Sequence, residues 1–222
     1  MTEGKEQAFL LKFGKRVYLE DFRNGILHMN SQRYFSTLEQ DAVRGDPYEG
    51  TDQIHQPRDI QVVHIIDNVT GTEMVLRPDD FAGPLLVGFG RESYTLFCMH
   101  AITEPPDSKR PLLDSRNLTF GDSFVGVLHT QEFINRISAV IKSSGMGGKS
   151  RLVEYYNIDQ HSGDTGPFRK PSTFRYQQEF RIAVFPGSSE PIRLSVGSLE
   201  DITTPVFPLA DIDCIISCGE KP

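Results

Sequence analysis

Hydrophobic and polar residues alternate through residues 174–185, FRYQQEFRIAVF. Because successive side chains of a strand point to opposite faces, this segment predicts one long strand with two unlike faces. The apolar face would carry Phe174, Tyr176, Phe180, Ile182 and Val184, interrupted only by Gln178. The polar face would carry Arg175, Gln177, Glu179 and Arg181. Such a face is either the solvated side of an antiparallel sheet or the wall of a polar site.

Similar patterns predict the other elements. Strand-like runs cover residues 8–13, 26–29, 60–66, 72–77, 84–89, 94–102, 124–128, 152–158, 191–195 and 212–218. Apolar residues spaced by three and four predict helices over 17–24, after Ser31 and after Thr130. Ser31 and Thr130 are expected to cap their helices, and Gly25 to end the first one in a left-handed conformation. Residues 104–116 and 159–172 are expected to form surface loops, and 143–150 a flexible linker.

Strands outnumber helices, and regular alternation of strand and helix is missing. This favours an α+β fold, a largely antiparallel sheet with two or three packed helices, over a doubly wound parallel sheet. At 222 residues the chain is expected to form a single domain, residues 1–222.

The net charge of −7 argues against a general nucleic-acid binder, because phosphate neutralisation needs clustered cations. A local basic patch stays compatible with the sequence, because one acid-poor stretch holds Lys149, Arg151, Arg169, Lys170, Arg175 and Arg181. Of these, Lys170, Arg175 and Arg181 would contact a protein or a nucleic acid. No apolar run is long enough to span a bilayer, and the polar N-terminus lacks a signal-peptide pattern. We therefore expect a cytoplasmic protein without a membrane partner.

The three cysteines are too few for a disulfide scaffold. Cys214 and Cys218 would share one face of a strand, about 13 Å apart, which is too far for a disulfide. Zinc would need further ligands, and only Cys98 and His100 offer another pair. We expect reduced cysteines and no metal site.

The polar face of the long strand is the first candidate site. Glu179 could stabilise a developing cation or bind a ribose hydroxyl, Gln177 could hold another polar edge of a substrate, and Arg181 would keep the acid ionised. The alternative is a solvated face with cross-strand ion pairs.

The turn RGDPYEG at residues 44–50 is the second candidate. Asp46 and Glu49 could position a polar substrate or a metal, and Tyr48 could stack on a base or a nicotinamide ring. Arg44 is expected to contact the substrate as well. The alternative is a structured Gly-Pro turn in which Asp46 caps backbone amides.

His28 is the third candidate, because it points opposite Leu27 and Met29 on a short strand and so could face a cavity. A satisfied structural histidine is the alternative. Tyr34, near the start of the second helix, is a further candidate for stacking on a ring.

Short segments in a fixed order resemble a family of small bacterial proteins described only as a domain of unknown function. They are LKF at 11–13, GIL at 25–27, YF at 34–35, RGDPYEG at 44–50, FGD at 120–122, VEY at 153–155, FRK at 168–170 and YQQEFR at 176–181. The resemblance covers most of the chain and implies organisation more than function.

Residues 177–179, Gln-Gln-Glu, also resemble the late-strand Gln-x-Glu motif of ADP-ribosyltransferases. Those enzymes place a His or Arg on an early strand, where this chain has Lys12, and His28 would substitute only with another strand order. The resemblance implies ribosyl transfer from, or cleavage of, a nicotinamide dinucleotide. Whether the chain is an enzyme, and which cofactor it uses, stays open. The alternative is a non-enzymatic module that binds a protein or a nucleic acid, and the expected partner is a small nucleotide-like ligand or a protein.

Overall fold

The computed structural model describes residues 8–37, 48, 50–88, 94–103 and 113–212. Its three α-helices are α1 (Arg16–Arg23), α2 (Gln32–Thr37) and α3 (Thr130–Ser143). Its strands, in chain order, are β1 (Phe9–Gly14), β2 (Ile26–Ser31), β3 (Gln53–His55), β4 (Val63–Ile66), β5 (Glu73–Leu76), β6 (Leu85–Val87), β7 (Thr95–Ile102), β8 (Ser123–Val127), β9 (Gly147–Leu152), β10 (Glu154–Tyr156), β11 (Gly163–Asp164), β12 (Arg169–Pro171), β13 (Glu179–Phe185), β14 (Ile192–Ser195) and β15 (Phe207–Pro208). The fold is α+β, as the sequence predicts.

The main sheet has eight strands, and all its pairs are antiparallel. Six of these strands lie in the order β14-β2-β7-β1-β8-β15. The other two extend the sheet from β7, because β13 pairs with β7 and β9 pairs with β13. Three small sheets, β4-β5, β10-β12 and β11-β3-β6, lie outside this path, and only β10-β12 is parallel. No helix of the described residues has the length and hydropathy needed to cross a bilayer.

Helices α1 and α3 pack on one face of the main sheet. Leu19 and Phe22 of α1 join Phe133 and Ile137 of α3 in the largest apolar cluster. In β13, the alternating Phe180, Ile182 and Val184 enter this cluster too. The opposite face carries two smaller apolar clusters, one around Phe124 and one around Ala183, and the polar residues described below.

Two of the three expected helix signals are confirmed. Gly25 has a φ of 85°, and a Cβ there would lie 1.8 Å from the carbonyl oxygen of Gly197, so only glycine fits. The hydroxyl of Ser31 accepts a hydrogen bond from the backbone amide of Tyr34. Thr130 does not cap α3, however, because His129 holds the cap position and the Thr130 hydroxyl donates to the carbonyl of Ala8.

The prediction of one long strand over residues 174–185 is correct only for the second half of that segment. Residues Ser172–Gln177 form a 3₁₀ helix, Gln178 adopts a left-handed φ of 43°, and the strand begins at Glu179. The alternating aromatic residues at the front of the segment contact cations instead of the core. The guanidinium of Arg116 lies 3.5 Å from the Tyr176 ring centre. Tyr176 is only half-buried.

The expected linker over 143–150 is also wrong. Residues Gly147–Leu152 form β9, which pairs with β13 in register from Gly147↔Phe185 to Leu152↔Phe180. The glycine at position 148 lets β9 pack closely on α3, because a Cβ there would lie 3.0 Å from two atoms of Ile141. The expected strand over 152–158 is shortened to β10, and the expected loop over 159–172 contains β11 and β12. The expected strand over 212–218 falls almost wholly outside the described residues, with Cys214 and Cys218.

Candidate functional site

A gap in the main sheet opens a cavity. Strand β7 pairs with β13 along Thr95–His100, so β1 and β2 both use its other edge. On that edge β2 pairs only as far as Leu96, and β1 begins only at His100. Within the described residues, Phe97, Cys98 and Met99 therefore lack a partner strand on this side, and all three line a cavity of about 880 Å³.

Lys12 reaches across this gap from β1. Its Nζ donates a hydrogen bond of 2.7 Å to the carbonyl oxygen of Cys98, which the divergence of β1 and β2 leaves at an open strand edge. The nitrogen also lies 4.4 Å from the ring centre of Phe97. Burial lowers the pKa of Lys12, although Glu179 acts in the opposite direction.

Glu179 is the centre of a buried charge cluster on the cavity wall. Its Oε2 accepts a hydrogen bond of 2.5 Å from Nε of Arg181, and its Oε1 lies 3.2 Å from Nζ of Lys170. The side chains are 14% exposed for Glu179, 1% for Arg181 and 4% for Lys170. The polar face of β13 is thus enclosed, and the alternative of a solvated sheet face does not apply to these residues.

The protonation of Glu179 follows from its neighbours. Burial alone would raise the pKa of this carboxyl group, but the Arg181 and Lys170 cations outweigh it and lower the pKa to about 2. Tyr155 supports the same residue from β10, where its hydroxyl accepts a hydrogen bond of 2.9 Å from the Glu179 amide. Burial, with the charge of Glu179, raises the pKa of Tyr155. Glu179 is therefore ionised, and Tyr155 neutral, at physiological pH.

Gln177 joins this cluster from the 3₁₀ helix and not from the strand. Its Oε1 accepts a hydrogen bond of 2.7 Å from Nζ of Lys170. The helix itself is held from the sheet, because Nδ1 of His100 donates to the Gln177 carbonyl at 2.8 Å and the amide of Asn117 donates to the Tyr176 carbonyl at 2.8 Å. These contacts bring Gln177 beside Glu179 despite the turn at Gln178.

Aromatic residues and His28 also line the cavity. Tyr34 is 39% exposed, and its ring packs edge-on against Phe35, which also lines the cavity. His28 faces the cavity while its neighbours Leu27 and Met29 are buried. Its Nε2 lies 3.0 Å from Oδ2 of Asp21. The cavity thus combines a charged wall with an aromatic one.

The expected residues fall into two groups. Glu179, Gln177, Arg181, Tyr34 and His28 all line the one cavity. Arg44, Asp46 and Glu49 lie outside the described residues. The two described residues of that turn, Tyr48 and Gly50, are not among the lining residues. A shared pocket between this turn and Glu179 stays a prediction.

Sequence reasoning gave no site role to Tyr155 and treated Lys12 only as a departure from a motif. A signal for Lys12 was present, since a lysine inside the apolar strand FLLKFG must leave its nitrogen either in solvent or in a polar pocket. No sequence signal identifies Tyr155, whose contact with Glu179 spans two strands. Within the described residues, no cluster of three or more His, Cys, Asp or Glu side chains has the arrangement of a metal site.

Comparisons with known proteins add no relative: no family model, no curated protein and no solved structure matches this chain.

Proposed function

We propose that this protein binds a small anionic, nucleotide-like ligand in the cavity beside β7. One observation carries the proposal, the excess of positive charge in the cavity of an acidic protein. Four cationic side chains and two carboxylates line it among the described residues: Lys12, Lys15, Lys170, Arg181, Glu179 and Asp122. The chain as a whole has a net charge of −7. A low-dielectric cleft of one sign attracts ligands of the other sign.

The size and the walls of the cavity support a nucleotide-like ligand over a bare ion. A volume of about 880 Å³ falls in the range of small-molecule pockets. Tyr34 and Tyr18 are exposed at its aromatic side and offer ring faces for a base. A phosphate of the same ligand would meet Lys15, which is exposed, and Lys12, which is half-buried. The buried Lys170 and Arg181 add positive potential behind them.

A second candidate is ribosyl transfer from a nicotinamide dinucleotide. The observation that favours it is an ionised carboxylate, Glu179, beside the Gln177 amide in a largely enclosed wall. In this mechanism Glu179 stabilises the ribosyl cation, Gln177 orients the acceptor, and Tyr34 stacks on the ring. Arg181 and Lys170 oppose the first of these roles, because they neutralise the charge that the cation would need. Binding is therefore the main proposal and cleavage the secondary one.

A macromolecular partner finds less support. Arg181 and Lys170, two of the three cations expected to contact a nucleic acid or a protein, are almost fully buried. Only Arg175 of that set is exposed. Contacts to a nucleic-acid backbone need accessible cations.

Calorimetric titration with NAD, ADP-ribose and inorganic phosphate tests the proposal. We expect NAD or ADP-ribose to bind with a dissociation constant below about 1 mM, and more tightly than phosphate alone. Tyr34→Ala should weaken binding at least about tenfold if its ring stacks on the base. Tyr156→Ala is the matched control, because Tyr156 packs on His161 and does not line the cavity.

The outcomes separate the candidates. Saturable binding without release of nicotinamide supports the binding proposal alone, and release that Glu179→Asp abolishes supports the transferase. Equal losses in Tyr34→Ala and Tyr156→Ala would place the ligand elsewhere. Failure of all three ligands to bind at millimolar concentration would overturn both candidates.

A further inference from the structure

Two lysines line the same cavity in different settings. Lys170 contacts the carboxylate of Glu179 and the amide oxygen of Gln177. For Lys12, no carboxylate of the described residues lies within ion-pair distance, and its one hydrogen-bond acceptor is the uncharged carbonyl of Cys98. Lys170 is thus fixed as a charged partner, whereas Lys12 has no counter-charge in contact among the described residues, and its neighbours are an uncharged carbonyl and the Phe97 ring, 4.4 Å away.

The position of Lys12 keeps its amine in place. Lys12 lies between the buried residues Leu11 and Phe13, and its backbone pairs with Val125 of β8, while the ladder from β1 to β7 ends one residue earlier, at Leu11. The hydrogen bond from Nζ to Cys98 holds the far end of the side chain. The side chain then projects into the opening between β1 and β2. An amine held this way meets a ligand in the cavity at a fixed position, which reduces the entropic cost of a reaction.

Burial also changes the chemistry of this amine. Removal from water disfavours the ammonium form and lowers the pKa of Lys12, so a larger fraction is neutral near pH 7 than for a solvated lysine. A neutral, desolvated lysine amine is the nucleophile that attacks carbonyl groups in enzymes.

We propose that Nζ of Lys12 forms an imine with the aldehyde or keto group of a small anionic ligand in this cavity. The preference for an anionic ligand rests on the proposed function, whereas the amine chemistry rests on the setting of Lys12 alone. The partner is therefore an oxo acid or a phosphorylated aldehyde rather than a neutral carbonyl compound.

The reaction is a condensation. The Nζ lone pair attacks the carbonyl carbon, the C–N bond forms as the C=O π bond breaks, and one amine proton passes to the oxygen. The second amine proton also passes to the oxygen, the C–O bond breaks, and the departing water leaves a C=N bond. No oxidant or reductant takes part. Added cyanoborohydride traps the product by delivering a hydride to the imine carbon, and the nitrogen receives its proton from water.

Reductive trapping with mass-spectrometric peptide mapping tests this inference. The protein is incubated with glyoxylate, and separately with propionaldehyde, in the presence of cyanoborohydride at pH 7. The exposed lysines Lys142 and Lys149, which do not line the cavity, serve as internal controls. We expect Lys12 to be labelled by glyoxylate at least about tenfold faster than these two, with a lower midpoint in the pH dependence of labelling.

Two variants complete the test. Lys12→Arg keeps the charge and the donor but cannot form an imine, so the fast label should vanish while the melting curve shows whether the fold survives. Lys149→Arg should leave the fast label unchanged, because Lys149 is exposed and does not line this cavity. The mapping of the unaltered protein decides the question even if Lys12→Arg fails to fold.

Each outcome has one meaning. Labelling of Lys12 at or below the rate of the exposed lysines would overturn the inference. Fast labelling by glyoxylate and slow labelling by propionaldehyde supports it in full. Equally fast labelling of Lys12 by glyoxylate and propionaldehyde would support imine formation but overturn the preference for anionic ligands. This result would not depend on the outcome of the nucleotide titrations.

Discussion

Nε of Arg181 and Oε2 of Glu179 lie 2.5 Å apart, between two residues that stand two positions apart on the same strand. Residues i and i+2 of a strand share a face, so β13 itself brings this acid and base together. Lys170 adds a second cation from β12, and Arg181 makes a further bond, from Nη1 to the carbonyl of Pro167 at 2.7 Å. Two enclosed cations thus share one carboxylate, which leaves one positive charge in excess.

Glu179→Gln should destabilise the protein strongly. Loss of the carboxylate leaves Lys170 and Arg181 without a counter-charge in a buried setting, which costs about 3–5 kcal/mol of unfolding free energy. Glu154→Gln is the matched control, because Glu154 contacts Arg169 at 3.1 Å with a side chain 56% exposed. The control should cost no more than about 1 kcal/mol. Urea unfolding at pH 7 measures both, and equal losses would contradict the role given to Glu179.

Stability should fall in acid because of the same residue. The pKa of Glu179 drops from its ordinary value of 4.5 to about 2 in the folded state. A carboxyl group with a lowered folded-state pKa stabilises the fold above its unfolded pKa, and this contribution is lost as the pH falls from about 4.5 towards 2. Urea midpoints between pH 7 and pH 2.5 measure the loss. For Glu179→Gln, we expect the urea midpoint to change less with pH than it does for the unaltered protein. An unchanged pH dependence would disprove that Glu179 causes the loss of stability in acid.

Phe180→Ala should cost about 3–5 kcal/mol, because the ring is buried in the main cluster between α3 and the sheet. Leu152→Ala is a suitable comparison, since Leu152 pairs with Phe180 across β9 and β13 yet is 37% exposed. Its loss should be clearly smaller. Thermal and urea unfolding measure both, and similar losses would show that burial does not distinguish the two positions.

At Gln178, unlike the sites above, one substitution should not destabilise the protein. The φ of 43° at this residue costs free energy for a residue with a side chain, whereas glycine adopts it without that cost. Gln178→Gly should therefore leave the unfolding free energy unchanged or raise it by up to about 1 kcal/mol. Gln178→Val should lower it by about 1 kcal/mol or more, because a branched side chain tolerates this conformation poorly. A stable valine variant would argue against the turn.

Local patterns predicted much of the fold. The β4–β5 hairpin, the first strand and helix, and the left-handed Gly25 all follow from residues close in sequence. The same reasoning failed at Phe174 and Tyr176, because an alternating pattern does not reveal that Arg116 and Lys170 will contact those rings.

The candidate site was predictable only in part. Glu179 and Arg181 share a face by strand geometry alone, so their proximity could be inferred. The gap beside Phe97–Met99 could not be inferred, since it depends on where β1 and β2 leave β7. Tyr155 meets Glu179 only through the assembled fold.

Because β1 and β2 diverge, one edge of β7 pairs with two separate groups of strands. One group holds β1, β8 and β15, and the other holds β2 and β14. The hydrogen bond from Lys12 to Cys98 connects the first group to β7 where the backbone pairing is interrupted. A ligand group that binds the Lys12 amine would compete with the Cys98 carbonyl for it. Binding at Lys12 and formation of this hydrogen bond would then be energetically linked, each changing the free energy of the other by the same amount.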